Sequence, residues 1–153
     1  MDEKYQIDSV DRQILNFLMT DARTPYLEIA RKLIVSGGTI HQRVERMKTA
    51  GIITGSSLNL SYKNLGYDVT VFLGIHLTSS KELGSVIKQL SKLPEVVEAH
   101  YTTGNYALLL KVLMRNISDF HYFLANKIQE IEAVRATESF ISLDQPIQKD
   151  ISF

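Results

Sequence analysis

The stretch Leu27–Gly51, LEIARKLIVSGGTIHQRVERMKTAG, has the apolar spacing of two short helices joined by a tight turn. The apolar positions that define the first helix are Leu27, Ala30 and Leu33. Those of the second helix recur at i, i+4 and i+7, and they are Ile40, Val44 and Met47. Between the helices, Ser36 has a side chain suited to an N-cap, and Gly37-Gly38 permits a sharp turn. The pattern predicts a helix-turn-helix whose second helix buries one face.

The face of the second helix opposite its apolar stripe is polar. At about 100° per residue, the side chains opposite that stripe are those of Thr39, Gln42 and Arg46. Arg43 lies at the edge of this polar face. Such side chains hydrogen-bond to base edges and phosphates, although helical hairpins with a polar face also occur in proteins that never touch nucleic acid.

Positive charge is concentrated on this stretch. The whole chain is neutral, with 17 basic and 17 acidic residues. From Arg31 to Lys63, however, six basic residues face a single acid, Glu45. A locally basic helix-turn-helix in a neutral chain indicates a surface that binds double-stranded DNA.

Composition narrows the class of protein. The 153 residues are 44% hydrophobic and 22% charged, which is typical of a globular protein, and the absence of cysteine excludes disulfides and thiolate metal sites. The N-terminus MDEKYQIDSVD lacks the features of a signal peptide, and no apolar run approaches the roughly 18 residues of a membrane span. We therefore expect a cytoplasmic protein with no membrane partner.

The predicted N-terminal domain, residues 1–60, is a winged helix-turn-helix. Its first helix is capped by Asp8 with Asp11 three residues on, close to a capping box. The run Ile52–Leu60 is short and favours a β-strand, which would form the wing or a linking strand. Residues 61–68, SYKNLGYD, are rich in turn formers and mark a linker.

The predicted C-terminal domain, residues 69–153, has an α+β pattern. Apolar residues alternate along the first strand and then return to helical spacing. Strands are expected at 69–78, 96–102, 106–114 and 134–143, and helices at 81–93 and around 120–128. This β-α-β-β-α-β order is that of a ferredoxin-like fold. With both helices on one face, the other face of the sheet is left uncovered, and a homo-oligomer is the simplest way to cover it.

Features that would indicate catalysis or metal binding are missing from the sequence. The histidines are scattered, and they are His41, His76, His100 and His121. There is no phosphate loop, nucleophile elbow or dinucleotide-binding fingerprint. We therefore predict that the protein is not an enzyme and holds neither a metal nor a cofactor.

Four motifs carry a resemblance to a known family. They are TIHQRVERMKTAGIITG at 39–55, LGYDV at 65–69, YTTGNY at 101–106 and NKIQ at 126–129. In their present order they resemble the Lrp/AsnC (leucine-responsive/asparagine) family of transcription regulators, and most of all its asparagine-responsive branch. The resemblance covers nearly the whole chain. It implies dimers that assemble further, often to octamers, and sequence-specific DNA recognition by the third helix. It also implies an amino acid effector, here asparagine, bound between dimers in the C-terminal domain.

Site residues follow from the same resemblance. It places Ser36, Thr39, Gln42, Arg43 and Arg46 at or near DNA. The effector-binding positions that it implies are Tyr101, Thr102, Thr103, Gly104, Asn105, Tyr106, Gln129, Thr137, Glu138 and Ser139. Many relatives carry an acid where this chain has Asn105, and the asparagine-responsive branch tends to histidine, so this position departs from the family pattern. Gly104-Asn105 is also ordinary hairpin chemistry without any ligand.

Two other interpretations compete with this one. The first is an architectural protein that wraps DNA with little sequence preference and no effector. The second is an enzyme or metabolite-binding module built on the ferredoxin-like domain, with the helical domain serving only to dock another protein.

Overall fold

The computed structural model describes residues 5–153, which form two compact units. The helical unit contains the described residues up to Asn59 together with Ile147–Phe153, and the sheet unit is Leu60–Pro146. The sequence predicts domains at 1–60 and 69–153 with a linker at 61–68; in the structure Leu60 and residues 61–68 belong to the sheet unit, and the last seven residues belong to the helical unit. They group with the helices because Asn16 and Phe153 exchange two hydrogen bonds: Asn16 Nδ2 donates to the Phe153 carbonyl (2.7 Å), and the Phe153 N–H donates to Asn16 Oδ1 (3.1 Å).

Three helices build the helical unit: α1 (Ser9–Thr20), α2 (Tyr26–Leu33) and α3 (Gly37–Thr49). The predicted capping box at the start of α1 is confirmed, since Asp8 Oδ1 accepts from the Asp11 N–H at 2.9 Å and Asp11 Oδ2 accepts from the Asp8 N–H at 3.2 Å. The predicted buried stripe of α3 is also confirmed. Its members lie in one core with residues of α1 and α2, and that core is Ile14, Leu15, Ile29, Ala30, Ile40, Val44 and Met47.

The first half of the helix-turn-helix differs from the sequence interpretation in detail. Leu27 was expected on the buried stripe but is 58% exposed, whereas Ile29 is fully buried. The sharp turn is made by Ile34, whose φ of 56° is left-handed, and not by the glycines. Gly37 and Gly38 already belong to the first turn of α3, where Ser36 is the N-cap as predicted.

The predicted wing strand is wrong. Among the described residues, 53–60 belong to no helix or strand, and no ladder partner pairs with them. Gly51, with φ 71°, ends α3, and the N–H groups of Ile52 and Ile53 donate back to the Met47 carbonyl. The two isoleucines pack on the helical core, and the segment beyond them is exposed. A strand needs a partner edge, and the helical unit supplies none to this segment.

The sheet unit has the predicted β-α-β-β-α-β order. Its elements are β1 (Val69–Leu77), α4 (Leu83–Leu90), β2 (Val96–Tyr101), β3 (Leu108–Met114), α5 (Ile117–Phe123) and β4 (Val134–Ile141). Short 3-10 turns occur at Lys63–Leu65 and Ser80–Glu82, and α5 continues into a π-helical turn at Leu124–Ile128. The strand order is β2-β3-β1-β4, and every neighbouring pair is antiparallel. This arrangement confirms the predicted α+β fold.

The two faces of the sheet have different surroundings. Alternate residues of β1 are fully buried against both helices, as predicted from the alternation: Val71, Leu73 and Ile75. The opposite face, called the outer face below, includes Phe72, Gly74 and His76 of β1 and Phe140 of β4. Phe72 and Phe140 are paired across the strands and remain 38% and 49% exposed. The outer face therefore presents aromatic groups that this chain does not cover within its described residues.

Candidate functional sites

The start of α3 is held by two hydroxyl groups. Ser36 Oγ accepts from the Thr39 N–H at 3.1 Å, which satisfies one of the N–H groups left unpaired at a helix start. The hydroxyls of Ser36 and Thr39 are also hydrogen-bonded to each other at 2.8 Å. These predicted DNA-contacting residues thus fix the geometry of the helix start, and Ser36 is exposed there.

Farther along α3, Gln42 and Arg46 are exposed on the polar face. Their side chains make no hydrogen bond or ion pair with the rest of residues 5–153. Since Ile40, Val44 and Met47 anchor the opposite side of the helix, the two side chains project from a rigid support. An amide and a guanidinium placed in this way have the donors and acceptors that base edges and phosphates require.

Arg43 has a different environment. Its Nη1 donates to Asp8 Oδ2 at 2.7 Å and to Asp11 Oδ1 at 2.8 Å, and Asp11 is 1% exposed. Tyr5 adds a hydrogen bond to Asp11 Oδ2 at 2.9 Å. The hydrogen bonds to Asp11 and then Asp8 raise the pKa of the Arg43 guanidinium. The backbone N–H of Asp11, followed by Arg43, lowers the pKa of the Asp8 carboxyl. The Arg43 side chain therefore already binds two carboxylates of its own chain. That it also contacts DNA remains a prediction.

Carboxylates reduce the positive charge that the sequence assigned to this region. Besides Arg43, two lysines are paired: Lys32 with Glu28 (2.9 Å) and Lys48 with Glu45 (2.8 Å). Glu28, Asp8 and Asp11 precede the segment in which the basic residues were counted. Within residues 5–153, Arg31 and Arg46 are the arginines of this segment that have no ion pair. The basic surface is therefore smaller and more local than the count indicated.

A cleft of about 340 Å³ lies beside the turn between β2 and β3. We call it the strand-turn cleft. Half of the ten predicted effector residues line it: Tyr101, Thr102, Gly104, Asn105 and Tyr106. The sequence interpretation missed the others, which are His76, Leu77, Ser80, Leu83, Ala107 and Arg135. Ala107 directly follows the YTTGNY motif, whereas the other missed residues come beside the turn only through the pairing of β1 with both β3 and β4, which no local motif identifies.

The remaining predicted effector residues do not line this cleft. Thr103 belongs to the turn itself, and Gln129 follows the π-helical turn. Thr137 and Ser139 pair with inward-facing residues of β1, whereas Glu138 pairs with Gly74 and lies on the outer face. That these four residues and Glu138 contact the effector remains a prediction.

Glu138 is connected to the cleft through one tyrosine. Tyr106 Oη donates to Glu138 Oε2 at 2.8 Å, and His76 Nε2 lies 3.6 Å from Glu138 Oε1. The hydrogen bond to Glu138 raises the pKa of the Tyr106 hydroxyl. Because Tyr106 also lines the strand-turn cleft, a group bound there would lie next to the Tyr106–Glu138 contact.

Across residues 5–153, no three histidine, cysteine, aspartate or glutamate side chains are grouped so as to hold a metal ion. In the same part of the chain, no helix is long and apolar enough to cross a membrane.

Comparison with known proteins gives matches over both units. The profile of the AsnC-type helix-turn-helix domain matches residues 7–48, and that of the Lrp/AsnC ligand binding domain matches residues 70–151. The chain is 50% identical to the regulatory protein AsnC of Haemophilus influenzae over 147 residues, 96% of this chain and 98% of that protein. It is also 50% identical to AsnC of Escherichia coli K12, over 97% of this chain and 98% of that protein.

Solved structures agree with these sequence matches. The structure of E. coli AsnC superposes with a TM-score of 0.94 at 49% identity, covering 97% of this chain and 99% of that one. A transcriptional regulator from Neisseria meningitidis in complex with L-methionine has a TM-score of 0.89 at 20% identity, covering 97% of this chain and 96% of that one, and this likeness shows the fold alone.

Proposed function

This chain belongs to the Lrp/AsnC family of transcriptional regulators, and we propose that it recognises specific DNA sites through α3 and responds to an amino acid, asparagine. The family consists of regulators and not of enzymes. The observation that carries the DNA part of the proposal is the exposed pair Gln42 and Arg46 on an N-capped α3, opposite a fully buried stripe.

The DNA contacts differ in what they contribute. An exposed arginine such as Arg46 neutralises phosphate, releases counterions and makes affinity depend on salt. An amide such as that of Gln42 can form a bidentate pair of hydrogen bonds with the edge of an adenine in the major groove. Ser36 and Thr39 present hydroxyls at the N-terminus of the same helix, where phosphate contacts are favoured.

Two substitutions test this part of the proposal. Arg46→Ala should weaken binding to all DNA sequences and reduce the slope of log affinity against log salt by about one. Gln42→Ala should cost about 1–3 kcal/mol on the preferred site and relax its sequence preference. Lys88→Ala removes one exposed charge from α4 of the sheet unit and is the matched control. Normal operator binding by Arg46→Ala would contradict the orientation of α3, and equal affinity of the native protein for unrelated sequences would indicate an architectural role.

The strand-turn cleft is the proposed effector site. Its volume of about 340 Å³ falls within the range of small-molecule sites. Asparagine is a zwitterion with a carboxamide, so it needs a cation for its carboxylate and several neutral hydrogen-bonding groups. Arg135 supplies the cation, since guanidinium binds carboxylate in bidentate fashion, and Thr102 and Asn105 supply hydroxyl and amide groups. The name AsnC of the relatives and the ligand binding domain of the family support this proposal.

A thermal-melt panel against the twenty amino acids tests the effector assignment. A ligand at about 100 times its dissociation constant adds roughly 2.7 kcal/mol of stability, which raises the melting temperature. We expect a shift with asparagine that is lost in Arg135→Ala and kept in Arg115→Ala, an arginine of the same unit outside this cleft. A shift that survives in Arg135→Ala would place the effector elsewhere, and a flat panel would remove asparagine from the proposal.

Assembly completes the proposed mechanism. The exposed aromatic pair Phe72 and Phe140 on the outer face supports association of copies through their sheets, first as dimers and then as octamers. A two-fold dimer presents two α3 helices to two half-sites. An effector that binds one assembly more tightly shifts the population toward it and so changes DNA affinity. Light scattering of Phe140→Lys should show smaller particles than the native protein, and an unchanged mass would contradict this interface.

A further inference from the structure

We infer that Arg43 is a positioning residue that holds α3 against the N-terminus of α1 and does not contact DNA phosphate. The inference rests on the proposed DNA-binding function of α3. It concerns the three groups that we call the α1–α3 clamp: the guanidinium of Arg43 and the carboxylates of Asp8 and Asp11.

Every carboxylate oxygen of the clamp accepts a hydrogen bond. Arg43 Nη1 donates to Asp8 Oδ2 (2.7 Å) and to Asp11 Oδ1 (2.8 Å). Asp8 Oδ1 accepts from the Asp11 N–H, and Asp11 Oδ2 accepts from the Asp8 N–H and from Tyr5 Oη. A network in which each member is satisfied has one preferred geometry, because any rotation of α3 breaks a charge-assisted bond.

Burial distinguishes the Arg43–Asp11 pair of the clamp from the other ion pairs of this unit, including the Arg43–Asp8 pair, whose carboxylate is 50% exposed. The Asp11 side chain is 1% exposed and that of Arg43 is 27% exposed, whereas both members of the Lys48–Glu45 pair are about half exposed. Exposed pairs contribute little to stability. Removing one partner of a buried pair leaves an uncompensated charge, so the structure must move to solvate it. Arg43 is thus bound to α1 more firmly than a surface lysine is bound to its neighbour.

The position of the clamp along the chain gives it its effect on α3. Asp8 and Asp11 belong to the capping box that begins α1, and Arg43 lies one position from the buried Val44. The distances in sequence are 35 and 32 residues. The clamp therefore fixes the rotation of α3 about its own axis, which decides the direction in which Gln42 and Arg46 point.

The two roles of Arg43 predict opposite effects for Asp8→Asn. Asparagine keeps the N-cap and leaves the clamp weakened, while the helical unit loses one negative charge. If Arg43 contacted phosphate, this change would leave DNA binding equal or tighter. If Arg43 positions α3, affinity for the preferred site falls about tenfold, the loss expected when a base contact is misplaced, while non-specific binding does not fall. Asp11→Asn should act in the same direction and more strongly because Asp11 is buried.

The experiment measures specific and non-specific DNA affinity as a function of salt for the full chain and its variants. Arg43→Gln should lower the ratio of specific to non-specific affinity without changing the salt slope, and Arg43→Lys should recover part of the ratio. Glu45→Gln removes a surface carboxylate from the same helix and is the matched control, with an unchanged ratio. A salt slope reduced by about one in Arg43→Gln, together with equal or tighter binding by Asp8→Asn, would overturn the inference.

A second measurement is independent of DNA. The chain has no cysteine, so cysteines introduced at the exposed positions Arg12 in α1 and Thr49 in α3 can be spin-labelled without background. The distance distribution between the labels should be narrow in the native protein and broader in Asp8→Asn and Asp11→Asn. An unchanged distribution would overturn the positioning role. Broadening in a protein that binds no DNA would support the clamp and contradict the proposed function, so the two failures are distinguishable.

Discussion

The ring of Tyr106 lies directly against the backbone of Gly74. A Cβ built on Gly74 would come within 2.5 Å of Tyr106 Cδ1 and within 2.7 Å of Cγ and Cε1. The same ring is edge-on to His76 and Phe140, with centroids 5.3 and 6.2 Å apart, and its hydroxyl donates to Glu138. Tyr106 therefore joins the strand-turn cleft to the outer face of the sheet, and Gly74 makes the space for it.

Gly74→Ala should destabilise the sheet unit. The added methyl group meets an aromatic ring that is fixed by three neighbours, and overpacking of this kind costs about 1–3 kcal/mol. Urea unfolding at a fixed protein concentration measures the effect. Gly84→Ala is the matched control, because a Cβ there meets nothing within 4 Å and alanine favours the helix α4.

A double substitution identifies the cause of this effect. If the clash with Tyr106 is responsible, Gly74→Ala should cost much less in a Tyr106→Ala background. Additive losses in the double variant would mean that Tyr106 and Gly74 do not interact.

Ile34→Gly should stabilise the helical unit. Ile34 has φ 56° and is 93% exposed, so its side chain contributes little burial while its backbone occupies a region that is unfavourable by about 1–2 kcal/mol for residues other than glycine. Glycine loses more conformational entropy on folding than isoleucine does, and this cost offsets part of the gain. The free energy of unfolding should therefore rise by up to about 1 kcal/mol. Thermal unfolding measures it, with Ile34→Ala as the control that keeps a Cβ. A loss of stability would mean that the Ile34 side chain makes a contact in the assembled protein.

Glu138→Gln should lower the pKa of Tyr106 toward the ordinary tyrosine value of about 10. The hydrogen bond to Glu138 raises this pKa, so the bond stabilises the folded protein below about pH 10 and is lost as pH rises through the raised value. Titration of near-ultraviolet absorbance detects the change. Glu98→Gln, which alters a carboxylate bound to Lys111, should leave the titration curve unchanged. Identical curves for Glu138→Gln and the native protein would contradict the observed contact.

Asp8→Asn should flatten the acid dependence of stability. The pKa of Asp8 is lowered by the Asp11 N–H and then by Arg43, so its contribution is present above about pH 3.9 and is lost as pH falls through the lowered value. Unfolding curves of the native protein and the variant should therefore differ near neutrality and converge in acid. Asp68→Asn, at an exposed position of the sheet unit, is the control. A constant difference at every pH would mean that the charge of the Asp8 carboxylate does not contribute to stability.

Local patterns predicted most of the fold. The capping box at Asp8, the cap at Ser36, the buried stripe of α3 and the alternation of β1 all depend on residues within a few positions of one another. Their spacing matches the helical or strand period, which the backbone imposes whatever the rest of the chain does. The wing strand failed because β propensity without a partner edge is not enough to form a strand.

The residues of the DNA-binding face and of the strand-turn cleft were only partly predictable from the sequence. Spacing alone identified Gln42 and Arg46 on the polar face of α3, and the resemblance to the family identified five residues of the strand-turn cleft. Neither could identify Arg135, because its place beside the turn depends on the pairing of β4 with β1.

The amino-acid sequence by itself thus determined the order of the helices and of the four sheet strands, the faces that α3 and β1 bury, and the family that the chain resembles. Only the tertiary structure decided that Arg43 binds Asp8 and Asp11, that Phe153 returns to Asn16, and that Tyr106 covers Gly74. The reason is physical: these partners are separated by up to 137 residues, and their contacts depend on how the packed elements are rotated and registered. No local period encodes that geometry.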